Sequence, residues 1–228
     1  MTRRALLLSP ALLPAQSRVR IVLVGDSTVT DSAGWGAGFR AAFSSRVETL
    51  NHSRGGRSSK SFRDEGRWQP ALDAKPRYVP IQFGHNDNPG KGPQRETDPD
   101  TTFAANLVRY VHEARQAGAI PVIVTSIVRR RFDADGKFRP DLLAAYSEAA
   151  RRVARATGAP LLDLYELTRA QAERLGPEGC AAIDARSADG KRDITHLGPE
   201  GARIVGAMAA REFVKLAPEL AGDLIAKD

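Results

Sequence analysis

Ile21-Val22-Leu23-Val24-Gly25-Asp26-Ser27-Thr28 is the stretch that decides the fold. Four apolar residues, most of them β-branched, run without interruption into a glycine and then into polar side chains. A short continuous apolar run of this kind reads as a strand buried on both faces, and such strands belong to parallel sheets covered by helices. In open sheets of that class, ligands gather at the carboxyl ends of the strands. Asp26, Ser27 and Thr28 therefore sit where chemistry is expected.

Working outward, strand-like and helix-like segments alternate. Arg20 to Val24 is the first strand, residues 35–45 read as a helix, and Val47 to Leu50 as a second strand. Residues 60–74 suggest a helix before a third strand at Tyr78 to Phe83. Phe103, Leu107, Tyr110, Val111 and Ala114 recur at helical spacing after Asp100, a suitable N-cap, and Gly118 is a natural stop. Val122 to Val128 is the most strand-like segment. Residues 141–157 form an alanine-rich amphipathic helix closed by Gly158, and Leu161 to Leu164 returns to the sheet. Gly176 to Arg192 reads as a polar loop. Gly198 then caps a last helix that begins near Pro199, since proline suits the first helical position. The alternation predicts a parallel sheet with helices on both faces.

The chain has 228 residues, of which 42% are hydrophobic, enough for one well-filled core and too apolar for disorder. Residues 18–228 read as one domain. Cys180 is the single cysteine, which excludes an internal disulfide or a cysteine-rich zinc site and suits a structural thiol. Residues 1–17 carry Arg3-Arg4 ahead of an apolar run from Ala5 to Ala15 that Pro10 and Pro14 interrupt. They read as a secretory signal, which would make the protein secreted or periplasmic, or alternatively as an N-terminal arm of a cytoplasmic one. No stretch is long enough to span a bilayer, so no integral membrane association is expected. The net charge of +7 comes with no nucleic-acid motif, and acids are interspersed with the bases. Basic residues do cluster at Arg54, Arg57, Lys60, Arg63 and Arg67, and again at Arg129, Arg130, Arg131, Lys137 and Arg139 around an Asp135-Gly136 turn. They read either as solvated faces or as the border of a site for an anionic substrate.

Several short motifs follow in one order: Gly25-Asp26-Ser27-Thr28, Gly55-Gly56-Arg57-Ser58, Gly84-His85-Asn86-Asp87, then Asp193 with His196. Each has a plain structural reading. Ser27 could cap a helix, Gly55-Gly56 could be a turn, and Asn86-Asp87 a polar loop. Together they supply the parts of acyl transfer. A serine hydroxyl needs a general base before it can attack at neutral pH. Of the four histidines, His112 falls inside a predicted helix, and His52 has no carboxylate near it in sequence. His196 has Asp193 three residues before it in a loop, a spacing that lets the carboxylate fix the ring tautomer. Gly56 offers a backbone amide unobstructed by a Cβ, Asn86 a side-chain amide, and Ser27 its own amide, all as candidate oxyanion donors. The Gly-x-Ser-x-Gly elbow of α/β-hydrolases is absent.

The order Gly-Asp-Ser, Gly, Gly-x-Asn-Asp and Asp-x-x-His resembles that of the SGNH or GDSL hydrolases. Val22 to Thr28, Gly34-Trp35-Gly36, Gly56-Arg57-Ser58, Ile81 to Asp87, Arg129 to Phe132 and Asp193 to His196 look most like the rhamnogalacturonan acetylesterases. The resemblance implies a flavodoxin-like three-layer α/β/α sandwich with a central parallel sheet, the SGNH hydrolase fold. It also implies roles: Ser27 as nucleophile, Asp193 and His196 as orienter and base, and Ser27, Gly56 and Asn86 as the oxyanion hole. No metal or organic cofactor is implied. The expected activity is a serine esterase that removes O-acetyl groups from pectic polysaccharide, so the expected partner is an acetylated polysaccharide or oligosaccharide. Two other readings stay open: an acyl esterase on another acetylated glycan, a lipid or a thioester, and a carbohydrate-binding protein that keeps the fold without catalysis.

Overall fold

In the computed structural model, which describes residues 18–226, strand β1 (Val19–Gly25) pairs in parallel with β2 (Val47–Asn51) on one side and β3 (Tyr78–Gln82) on the other. Strands β4 (Ile120–Val124) and β5 (Leu161–Leu162) complete a five-stranded parallel sheet of order β2-β1-β3-β4-β5. This is the flavodoxin-like order, in which the chain reverses direction across the sheet between β1 and β3 and opens a crevice at their carboxyl ends. Ser27 and Asn86 lie just beyond those two ends.

Alternation along β1 divides the core. Ile21 and Leu23 join one cluster with Trp35, Phe39, Val205, Ala209 and Phe213, which brings α1 (Gly36–Ala41) and α7 (Pro199–Leu216) onto one face. Val22 and Val24 join the other with Phe62, Trp68, Tyr110 and Ala149, which brings α2 (Ser61–Asp64), α3 (Trp68–Asp73), α4 (Ala104–Gln116) and α5 (Leu143–Thr157) onto the opposite face. Both pairs of β1 side chains are fully buried. The helix-covered parallel sheet expected from the alternation, and the three-layer α/β/α sandwich implied by the resemblance, are the architecture found.

Some elements differ from expectation for identifiable reasons. The helix expected over 60–74 is two short ones, because Gly66 takes a left-handed φ of +70° between them. The helix at α4 is capped by Asp98 rather than Asp100: its carboxylate accepts from the amides of Asp100 and Thr101 and starts a π-helical turn at Pro99. The strand expected to reach Val128 ends at Val124. Beyond it the backbone finds other partners, Val128 N donating to Thr168 Oγ1 and Arg130 N to Ile194 O. The largest departure is α6 (Leu164–Ile183), which fills residues for which no element is expected and extends into the first part of the expected loop, broken only at Gly176 (φ +64°) ahead of Pro177. A two-stranded antiparallel hairpin follows, β6 (Asp184–Arg186) with β7 (Arg192–Leu197). Asp193 and His196 therefore stand on a strand, not in a loop. Cys180 is buried beside Val128 and Leu143, and burial pushes its thiol pKa up, which suits a structural role. The signal or arm expected over residues 1–17 lies outside the described residues. Among those described, no helix is long and apolar enough to cross a membrane.

Candidate active site

The turn after β1 is held from below. Asp26, fully buried, accepts from Thr28 N at 2.9 Å and Thr28 Oγ1 at 2.7 Å. Gln82 Nε2, at the end of β3, donates to Thr28 Oγ1 at 2.7 Å, and Trp35 Nε1 donates to Gln82 Oε1 at 2.9 Å. Both ends of the glutamine amide are thereby tied to neighbours inside the core, where unmade bonds are costly. The chain is pinned at residues 26 and 28, and Ser27 between them is presented half-buried.

Ser27 Oγ lies 2.8 Å from His196 Nε2, and His196 Nδ1 lies 2.7 Å from Asp193 Oδ2. Asp193 Oδ1 also accepts from the amides of Thr195 and His196 at 2.9 and 3.1 Å. Burial by itself would raise the Asp193 pKa, but the His196 ring and these two amides outweigh it and hold the carboxyl below its ordinary value. An ionised Asp193 accepts from Nδ1–H, so Nε2 carries the lone pair and takes the hydrogen bond from the Ser27 hydroxyl. That is the arrangement a general base needs to withdraw the serine proton.

The candidate oxyanion donors come from three strand ends. Gly56 adopts φ +76°, which is the reason for glycine here, since a Cβ at that position would meet nothing within 4 Å. The preceding Gly55 makes the close approach: a Cβ on it would sit 3.6 Å from Ser27 Cβ. Asn86 is buried and its Nδ2 donates to Arg57 O at 3.2 Å. Neither Ser27 N nor Gly56 N donates to a backbone carbonyl among the described residues. The amides of Ser27 and Gly56, and the second N–H of Asn86, thus remain candidate oxyanion donors.

Beneath these donors lie residues that the motifs contained but whose roles the sequence did not disclose. Asp87 is buried and accepts from Ser59 Oγ at 2.6 Å, Ser59 N at 3.1 Å and Thr97 Oγ1 at 2.9 Å. It braces the Gly56 loop against the Asn86 loop. Burial raises its pKa to about 7, against those hydrogen bonds and with help from the nearby Asp26 charge. His85 packs in the same layer, its Nδ1 3.7 Å from Asp26 Oδ2, beyond hydrogen-bond reach. Burial would raise the Asp26 pKa, yet the facing His85 ring and the Thr28 bonds lower it overall.

Among the described residues, neither His52 nor His112 makes a hydrogen bond to Ser27. His52 follows β2 with its amide on Leu23 O, burial lowers its pKa, and no hydrogen bond joins its ring to Ser27. His112 is exposed on α4. The basic clusters are mostly neutralised: Arg57 and Arg67 pair with Glu65, Arg63 with Glu113, Arg129 with Asp141, Arg130 with Asp184 and Arg139 with Asp133. An anion-attracting border made of both sets is therefore much smaller than expected. Arg54, Arg131 and Lys137 remain exposed without a carboxylate partner in the ion pairs of the described residues.

Residues 23–204 match the GDSL-like lipase/acylhydrolase family. A rhamnogalacturonan acetylesterase of Bacillus subtilis is 35% identical over 227 residues, covering 92% of this chain and 96% of its own. One from Emericella nidulans is 30% identical over 222 residues, covering 87% of this chain and 86% of its own. Among solved structures, a Bacillus subtilis protein superposes with a TM-score of 0.75 at 24% identity, over 90% of this chain and 58% of that one.

Proposed function

This chain belongs to the GDSL-like lipase/acylhydrolase family, and from that premise we propose that it is a serine esterase which removes O-acetyl groups from rhamnogalacturonan. The observation that carries the chemistry is the relay from Ser27 Oγ to His196 Nε2 at 2.8 Å and from His196 Nδ1 to Asp193 Oδ2 at 2.7 Å. The substrate class rests on the rhamnogalacturonan acetylesterases that are similar over nearly the whole chain.

In this reading Ser27 Oγ attacks the acetyl carbonyl carbon as its proton passes to His196 Nε2. The carbonyl oxygen becomes an oxyanion, met by the amides of Ser27 and Gly56 and by Asn86 Nδ2, each worth on the order of 3 kcal/mol of transition-state stabilisation. Asp193 holds the imidazolium in register and stabilises its charge. The intermediate collapses when His196 returns the proton to the departing sugar oxygen, leaving a free hydroxyl and an acetyl-serine. Water then attacks that ester, giving up a proton to His196, and the second intermediate breaks down to acetate and the serine hydroxyl.

The test is acetate release from acetylated rhamnogalacturonan and acetylated xylan, beside p-nitrophenyl esters of increasing acyl length, with Ser27→Ala in parallel. Preferred release from rhamnogalacturonan and acetyl over longer esters, abolished by Ser27→Ala without loss of thermal stability, is expected. A Ser27→Ala protein that still turns over would remove the nucleophile assignment. A protein that binds the polymer without releasing acetate would be a carbohydrate-binding relative instead.

A further inference from the structure

Arg129 and Arg130 are adjacent in the sequence and reach opposite halves of the site. Arg129 Nη2 donates to the carbonyl oxygen of His85 at 3.3 Å, which is the peptide bond leading into Asn86, while its Nη1 is anchored on Asp141 at 2.7 Å. Arg130 Nη2 donates to the carbonyl oxygen of His196 at 2.6 Å, its Nε bonds Asp184, and its own amide donates to Ile194 O at 3.0 Å. Asp184 is bonded a second time by Arg192 Nε, from the strand that carries Asp193. One dipeptide after β4 is therefore fastened to the backbone of the oxyanion donor and to the backbone of the base.

Stability does not account for this arrangement. The Arg130 side chain is 4% exposed and that of Asp184 fully buried. Removing a charge pair from water costs about as much as the pairing returns, so the pair by itself adds little net stability. What a guanidinium does supply is a rigid planar fork whose donors diverge at fixed angles. Arg130 uses that fork to set His196 against Asp184, and Arg129 to set the Asn86 peptide against Asp141. We propose that Arg129 and Arg130 are positioning residues that hold the oxyanion donor Asn86 and the base His196 at a fixed separation around Ser27. The inference rests on the roles proposed above for those three residues.

The experiment compares Arg129→Lys and Arg130→Lys with the parent on p-nitrophenyl acetate, a neutral ester that removes substrate charge from consideration. An ammonium keeps the charge, but it is a compact point donor on a flexible stem and cannot reproduce the two diverging bonds. Misplacing reacting groups by about an ångström costs up to about a hundredfold. The expected result for both variants is a kcat lowered by about tenfold or more with KM within about twofold. Arg130→Lys should slow phosphonylation of Ser27 by a fluorophosphonate by the same factor, because that reaction also needs the base. Arg129→Lys in an Asn86→Ala background should cause little further loss, because Arg129 acts through Asn86. If Arg130→Lys does not fold, Arg130→Gln with Asp184→Asn replaces the pair by neutral groups, and its folded protein should still show the lowered kcat. Folded variants with parental kcat and only a lowered Tm would overturn the proposal, and so would fully multiplicative losses for Arg129→Lys and Asn86→Ala in the case of Arg129. A Ser27→Ala control separates the two levels. An active Ser27→Ala would remove the underlying site, whereas an inactive one beside fully active arginine variants would remove this inference alone.

Discussion

Asn86 Nδ2 donates to the carbonyl oxygen of Arg57 at 3.2 Å, so two loops that leave different strands are fastened to each other. A side-chain amide has two N–H bonds. One is spent on this fastening and fixes the direction of the other before substrate arrives. In the proposed oxyanion hole, such preorganisation would let Asn86 act on a developing charge without first being reoriented.

Asn86→Ala should therefore lower kcat by about a hundredfold and leave KM nearly unchanged, since the donor acts on the transition-state oxyanion far more than on the ground-state carbonyl. Losing the bond to Arg57 O should also lower Tm slightly. Steady-state kinetics on an acetyl ester check the first point. A variant altered only in KM would place Asn86 in ground-state binding.

Asp193→Asn should cost about 10⁴-fold in kcat while the protein stays folded. The fold is retained because an asparagine oxygen can still accept from the amides of Thr195 and His196, as Asp193 Oδ1 does. The rate is lost because an amide nitrogen facing Nδ1 favours the tautomer with its proton on Nε2, which cannot receive the proton of Ser27 Oγ. Circular dichroism and kcat measured on the same preparation decide the matter. A variant with near-parental kcat would show that Asp193 does not govern the tautomer.

Asp87 makes stability depend on pH in a direction unusual for a carboxylate. Its pKa in the folded protein is about 7, raised by burial, against about 3.9 in an unfolded chain. Between these values the folded state holds a proton that the unfolded state has released, so stability from this group falls as pH rises from about 4 to 7 and levels off above that. Asp87→Asn keeps an acceptor for Ser59 and Thr97 and removes the titration. Its Tm should be close to the parent's at pH 5 and higher by several degrees at pH 8. Thermal melts at the two pH values test this, and a variant less stable than the parent at pH 8 would refute it.

The sheet, and the places of Ser27 and Asn86 after its strands, were legible in the sequence because these signals are local. Ile21 to Gly25 announces a buried strand by its own composition, and Ser27 and Asn86 each follow such a strand directly. The hairpin carrying His196 was not legible. Gly176 to Arg192 reads as a polar loop, yet the helix resumes after Gly176 and continues to Ile183. Thr125 to Val128 is rich enough in β-branched residues to continue β4, but β5 offers only two residues to pair with. Val128 and Arg130 turn instead to Thr168 and Ile194. The basic clusters, which read as solvated faces or as a site border, stayed undecided for a related reason. Asp184 is 54 positions from Arg130, and Glu113 is 50 from Arg63, so no local pattern reveals that these charges are already matched.

That matching leaves few exposed cations in the two clusters to act on a charged substrate. A galacturonate-containing backbone carries a carboxylate on alternate sugars, and an exposed cation near the reacting ester would attract it. Arg57, Arg63, Arg67, Arg129, Arg130 and Arg139 have carboxylate partners, and Lys60 Nζ donates to Pro93 O. Arg54 is placed differently. It is exposed, its amide is bonded to Gly25 O two residues before the nucleophile, and Gly55 beside it abuts Ser27. Arg131 is exposed next to the residue that bonds β7. Attraction between exposed charges is weak, up to about 1 kcal/mol, so Arg54→Gln and Arg131→Gln should each raise KM for acetylated rhamnogalacturonan by about two- to fivefold. The effect should shrink as salt is raised from about 0.05 to 0.5 M, because the screening length drops well below the spacing of the charges. p-Nitrophenyl acetate, which is neutral, should show no change in either variant. Equal KM values for acetylated rhamnogalacturonan across the parent and both variants, at low and high salt alike, would leave the preference to shape and hydrogen bonding, and Ser27, His196 and Asp193 would keep their roles because no part of that relay depends on these two cations.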